Sequence, residues 1–107
     1  MTQEKAKIYN LLGFAQKAGK LVSGTNSVET LIGRPEAKLT LIAEDSSSSL
    51  LKQITSKCQS GNQRYLIIGT KDEFGNAIGK SQRTVIVIKD ENIARAILDI
   101  VKKTEVL

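Results

Sequence analysis

The sequence has no histidine and no tryptophan, and only one cysteine and one proline among its 107 residues. Each absence excludes something. Without histidine the chain lacks the commonest general base and the commonest metal ligand at neutral pH. The lone Cys58 allows neither an intramolecular disulfide nor a cysteine-based zinc site. No Ser-His or Cys-His pair is available for covalent catalysis, so no catalytic residue, cofactor or metal is expected. Aromatic residues are few (Tyr9, Phe14, Tyr65 and Phe74), which argues against a platform that stacks successive bases of a single strand. Apolar runs such as Tyr65–Ile68 and Val85–Ile88 fall far short of the roughly 20 residues a membrane-spanning helix needs. The start, Met1-Thr-Gln-Glu-Lys5, carries no apolar signal segment. A cytoplasmic location is expected, with no membrane partner.

Forty per cent of the residues are apolar and 25% are charged. That composition supports one core under an ordinary soluble surface, and one domain over residues 1–107. Sixteen Lys and Arg oppose eleven Asp and Glu, for a net charge of +5 and a pI near 9.5. An anionic partner is favoured, nucleic acid foremost.

Helical and strand patterns alternate along the chain. Ile8, Leu11, Leu12 and Ala15 share helical spacing, predicting a helix over 4–17. Leu21-Val22 reads as a short strand between glycines. Val28, Leu31 and Ile32 predict a second helix that opens at Thr25 or Asn26, both competent caps, and stops at Gly33. Leu39-Thr-Leu-Ile-Ala43 is a strand covered on both faces. Asp45 or one of the following serines caps a helix over 47–60, with Leu50, Leu51, Ile54 and Cys58 inward. Tyr65–Ile68 is a strand, and Lys71–Ile78 a short helix closed by Gly79. Thr84–Ile88 is a strand rich in β-branched residues. Asp90 caps a last helix whose Ile93, Ile97, Leu98 and Val101 face inward. The order α-β-α-β-α-β-α-β-α implies an α/β fold, a three-layer α/β/α sandwich with a four-stranded mixed sheet.

Two stretches imitate a phosphate-binding loop and fail on spacing. Gly13 and Gly19 are separated by five residues, and Gly75 and Gly79 by three, where the nucleotide loop requires four. Glu44-Asp45 is a carboxylate pair just past a strand end, better read as acids drawn to a helix N-terminus than as a catalytic pair. The stretch from Lys17 through Lys20 to Gly24-Thr25-Asn26-Ser27 is more suggestive. A strand runs into a glycine and a helix opens at once, offering backbone N–H groups to a phosphate. Asn26 can also bond a base edge. The same residues equally suit a capped turn with solvated lysines. Lys71, Lys80 and Arg83 lie in loops around the fourth helix and could line the same edge.

Taken in order, Leu11-Leu-Gly-Phe-Ala-Gln-Lys-Ala-Gly-Lys-Leu-Val-Ser-Gly24, Ala37-Lys-Leu-Thr-Leu-Ile-Ala-Glu-Asp45, Lys57-Cys58 and Gly69-Thr-Lys-Asp-Glu-Phe-Gly-Asn-Ala-Ile-Gly-Lys80 give a chain that resembles the L7Ae kink-turn-binding ribosomal protein family, in its small bacterial branch. The resemblance covers Leu11 to Leu98. It implies a non-catalytic RNA-binding protein whose partner is structured RNA, a kink-turn or ribosomal RNA, with the ribosome as one setting and no small-molecule substrate. It also implies the site residues. Gly24 and Thr25 would meet the backbone, Asn26 would enter the groove at sheared G·A pairs, and Lys71, Lys80 and Arg83 would border the bend. Two positions depart from the family's strong RNA binders: Ser27 stands where they have Glu, and Thr30 where they have Lys. Weaker, more salt-dependent or differently specific binding is therefore expected. Counting Lys17 and Lys20 with the other cations gives roughly 4–6 phosphate contacts, and a loss of two or three decades of affinity between about 50 and 200 mM salt. A protein-interaction module on the same fold, without specific RNA recognition, is the alternative.

Overall fold

In the computed structural model, which describes residues 2–106, the chain runs α1 (Thr2–Lys17), β1 (Leu21–Ser23), α2 (Thr25–Leu31), β2 (Leu39–Ile42), α3 (Ser48–Ser60), β3 (Tyr65–Ile67), α4 (Lys71–Ile78), β4 (Val85–Ile88) and α5 (Glu91–Val106). The sheet order is β1-β4-β2-β3. β4 pairs antiparallel with both β1 and β2, and β2 pairs parallel with β3. The sheet is thus mixed, as expected from strands separated by helices.

Every residue of β2 and β4 is buried, because helices cover both faces. The period-2 alternation of a strand sorts the side chains. Leu39, Leu41, Ile86 and Ile88 turn to one face, where Ile8, Leu12, Phe74, Ile78, Ile93 and Ile97 from α1, α4 and α5 meet them. Ile42, Val85 and Val87 turn to the other, against Val28, Ile54 and Cys58 from α2 and α3. Each such side chain contributes about 1.5–3 kcal/mol by leaving water. The result is the three-layer α/β/α sandwich. Among the described residues no helix is long and apolar enough to cross a membrane.

Local chemistry sets the ends of the elements. Of the candidate caps for α3, Ser47 takes the position: its side chain accepts from Leu50 N at 3.1 Å. α4 opens on a complete capping box between Thr70 and Glu73 and closes at Gly79 in the left-handed conformation. Asp90 Oδ1 accepts from Ile93 N at 3.0 Å and so caps α5. α2 departs from expectation. Neither Thr25 nor Asn26 caps it; the N-cap is Gly24, at φ 96° and ψ 141°, with no side-chain bond. Only glycine adopts that backbone without strain, so Thr25 and Asn26 are carried into the first turn. α2 also ends at Leu31, before Gly33, and β4 begins at Val85 rather than Thr84.

Candidate functional site

Since β4 runs antiparallel to its neighbours, β1, β2 and β3 all point the same way. Their carboxyl ends gather at one end of the sheet, together with the start of β4. Loops at the carboxyl ends of parallel strands are where α/β folds place ligands. Here the gathered segments are Ser23–Ser27, Glu44–Ser47, Gly69–Lys71 and Lys80–Thr84.

Ser23, Gly24, Thr25, Asn26 and Ser27 form one wall of an open cleft of about 330 Å³, and Gln82, Arg83 and Thr84 form the other. Gly24 N donates to Val85 O at 3.1 Å, which fixes the turn against β4. The N–H groups of the first turn of α2 have no side-chain cap, so they remain available to a polar partner. Asn26 and Ser27 are exposed, and Thr25 is half-buried. Arg83 ties the walls together. Its Nε donates to Ser23 Oγ at 3.1 Å, and its Nη1 bonds Ser81 Oγ at 2.8 Å and the Gln82 carbonyl at 3.0 Å. Its Nη2 forms no bond among the described residues, which leaves a fixed cationic donor at the cleft.

Three carboxylates support this arrangement from below. Glu44 Oε2 accepts from Gly69 N, Glu73 Oε1 from Thr70 N, and Asp45 Oδ1 from Lys71 N, each at 3.0 Å. Three successive backbone N–H groups are therefore each held by an acid. Lys71 O in turn accepts from Arg83 N at 3.2 Å, and Asp72 Oδ1 accepts from Gln82 Nε2 at 2.6 Å. The Glu44-Asp45 pair thus clamps the β3–α4 loop instead of lying at the start of α3. Tyr9 donates its hydroxyl to Glu73 Oε1 at 2.7 Å. That bond, with Lys5 and Thr70, holds the Glu73 carboxyl below the usual range. Burial, then the bond and charge of Glu73, push the Tyr9 phenol well above its own.

Of the residues expected at the site, Gly24, Thr25, Asn26, Ser27 and Arg83 come together in the cleft. Lys71 opens α4 beside Arg83, through the backbone bond just given. Lys80 is exposed in the loop that supplies the second wall. Thr30 lies a turn further along α2 and spends its hydroxyl on Ser27 O at 2.8 Å. Lys17 and Lys20 are elsewhere: Lys17 ends α1, and Lys20 precedes β1, so both sit at the opposite end of that strand from Gly24. Ser23, Gln82 and Thr84 line the cleft without having been singled out in the sequence. Adjacency to Gly24 and Arg83 was their only signal.

Cys58 is fully buried, with its thiol pushed up by burial, and Gly75 lies inside α4 rather than in a phosphate loop. Among the described residues no group of His, Cys, Asp or Glu is placed to hold a metal ion. Fold and cleft define a small α/β/α binding module. The chain belongs to the ribosomal protein L7Ae/L30e/S12e/Gadd45 family, whose model matches residues 6–98. It is 35% identical over 92 residues to the RNA-binding protein YlxQ of Bacillus subtilis (strain 168), covering 86% of this chain and 92% of that one. It is 28% identical over 102 residues to the large ribosomal subunit protein eL8 of Thermoplasma volcanium, covering 91% and 84%. Among solved structures, a Bacillus halodurans C protein of unknown function superposes with a TM-score of 0.86 at 29% identity, covering 91% of this chain and 98% of that one. The Giardia lamblia 15.5kD RNA binding protein superposes with a TM-score of 0.79 at 22% identity, covering 97% and 89%.

Proposed function

We propose that this protein binds structured RNA without catalysing a reaction, acting as one domain in the cytoplasm, and that its cleft takes a sharply bent RNA of the kink-turn type. The observation that carries the reading is the meeting of the Gly24–Ser27 turn with Arg83 across one polar cleft. Free backbone N–H groups and a fixed guanidinium suit a phosphate, and Asn26 beside them suits a base edge. Membership of a family of ribosomal proteins, and 35% identity to a protein named as RNA-binding, support the same partner. Regular A-form RNA hides its base edges in a deep groove, whereas a bend exposes them. Shape therefore does much of the selecting.

The test is titration into a labelled kink-turn RNA and a matched unkinked duplex at equal salt. The expected result is a preference for the kinked RNA of tenfold or more, about 1.4 kcal/mol. Asn26→Ala should erode that preference while leaving duplex binding alone. Equal, weak binding to both RNAs by the wild type would reject kink-turn recognition and favour the protein-interaction reading of the fold.

A further inference from the structure

The end of the sheet opposite the cleft carries its own pattern. In sheet order, the flanking residue of each strand at that end is Lys20 for β1, Lys89 for β4, Lys38 for β2 and Arg64 for β3. Every strand ends there in a cation. The backbone fixes the row: Lys89 N donates to Lys20 O at 2.8 Å, and Lys38 N to Ile88 O at 2.9 Å. Arg64 Nη2 donates to Lys38 O at 2.8 Å. Strands lie about 4.8 Å apart, so the four backbones span about 14 Å.

Lys20, Lys38 and Lys89 border a shallow cleft of about 370 Å³ with Gly19, Pro35 and Glu36. None of the three lysines forms an ion pair or side-chain hydrogen bond among the described residues. Of the row's four cations only Arg64 is paired with an acid among the described residues, so the unpaired ones are the three lysines. Glu91 is shared between Arg64 at 2.6 Å and Arg95 at 2.8 Å, and Asp90 is engaged in capping α5. Glu36 is the one acid lining the cleft. Like charges held in a row by the backbone repel one another, and a linear polyanion relieves that repulsion.

We infer that this row is a second RNA surface, which grips the phosphate backbone of duplex RNA without reading its sequence. The inference rests on the RNA-binding reading above. With no aromatic side chain in the row and no polar side chain positioned as Asn26 is, base readout has no means there. A row of ammonium groups suits a phosphate strand. One molecule would then hold a bent RNA at one end of the sheet and a neighbouring helical segment at the other.

The test uses Lys38→Glu/Lys89→Glu. Lys52→Glu/Lys57→Glu, on exposed positions of α3, serves as a control of equal net charge. Each protein, checked for folding by circular dichroism, is titrated into a plain RNA duplex and into a kink-turn RNA trimmed to minimal stems. The Lys38/Lys89 variant is expected to bind the plain duplex about tenfold more weakly, with a salt slope shallower by about two phosphate contacts. It should bind the trimmed kink-turn as wild type does, and the α3 control should match wild type on both. Equal losses in both variants would reduce the row to net charge and overturn the inference. So would absence of duplex binding by the wild type, or an unchanged duplex affinity in the variant. Wild-type binding to a polyglutamate peptide as tight as to duplex would assign the row to acidic protein segments instead. Failure of the proposed function shows separately, as a wild type that does not prefer the kinked RNA.

Discussion

Thr40 carries a hydroxyl into the layer between the sheet and helices α2 and α3, where it is 1% exposed. Its Oγ1 meets no hydrogen-bond partner among the described residues; its polar neighbour there is the Cys58 thiol, a weak partner at best. An unpaired buried hydroxyl costs more than the methyl of a similar shape. Thr40→Val should therefore stabilise the fold by about 1 kcal/mol, and raise the thermal midpoint by about 4–6 °C. A lower midpoint in the melting curve would mean that the hydroxyl is bonded after all. Tyr9 makes the opposite case, a polar group whose bond counts. Glu73 is held below its ordinary value of 4.5, so its contribution is complete above that pH and fades as pH falls through the folded value. The Tyr9 phenol is raised above 10.0, so its contribution is complete below that pH and fades as pH rises. Tyr9→Phe should cost about 1 kcal/mol, the bond being only partly shielded from solvent. In urea unfolding the difference from wild type should be flat between about pH 5 and 9 and shrink on both sides. A difference independent of pH would mean that Phe disturbs packing rather than the Tyr9–Glu73 bond.

Helix α4 is where a single residue governs a whole element. Gly75 is buried, and a β-carbon there would stand 2.3 Å from Ser81 O and 2.9 Å from Lys80 O. Both are backbone atoms of the loop that forms the second wall of the cleft, so no side chain can swing away to make room. Gly75→Ala should therefore displace that loop, at a cost of about 1–3 kcal/mol. RNA affinity should fall more than stability explains, because Arg83 would leave Ser23. Wild-type affinity in a destabilised variant would show that the loop moves without carrying the site. The bounds of α4 follow from local chemistry: a capping box at one end, a left-handed glycine at the other and apolar spacing between. For that reason the sequence alone places this element correctly. The strand cores of β2 and β4 are equally plain from their unbroken apolar runs. What local chemistry does not encode is register between segments far apart. The bond from Arg83 to Ser23 spans sixty positions, and nothing near either residue announces it. The Glu44-Asp45 pair reads as helix-start acids because the loop it clamps lies more than twenty residues downstream. Lys20 is close to Gly24 in sequence, yet β1 carries the two to opposite ends of the sheet.

Across the whole molecule, which measures 31 × 31 × 27 Å, the cations expected from the sequence to meet RNA are divided between the two ends of the sheet. That division changes what salt should do. Reckoned together, Lys17, Lys20, Lys71, Lys80 and Arg83 would release counterions from about five phosphates of one RNA. The fold leaves Lys71, Lys80 and Arg83 at the cleft end and removes Lys17 and Lys20 to the other. A kink-turn RNA too short to reach around the molecule therefore meets about three cations. Its affinity should drop by about one to two decades between about 50 and 200 mM salt, instead of the two to three that five contacts require. An RNA with long flanking stems can engage both ends, so its slope should be the steeper of the two. Filter binding of the short and long RNAs across the same salt series measures both slopes. Equal slopes, both near five contacts, would mean that a short RNA already wraps from one end of the sheet to the other. Equal slopes near three would mean that long stems gain nothing from the far end, and that the charge there serves solubility. A steeper slope for the long RNA is what two RNA-facing ends require when the short RNA cannot bridge the length of β4 between them.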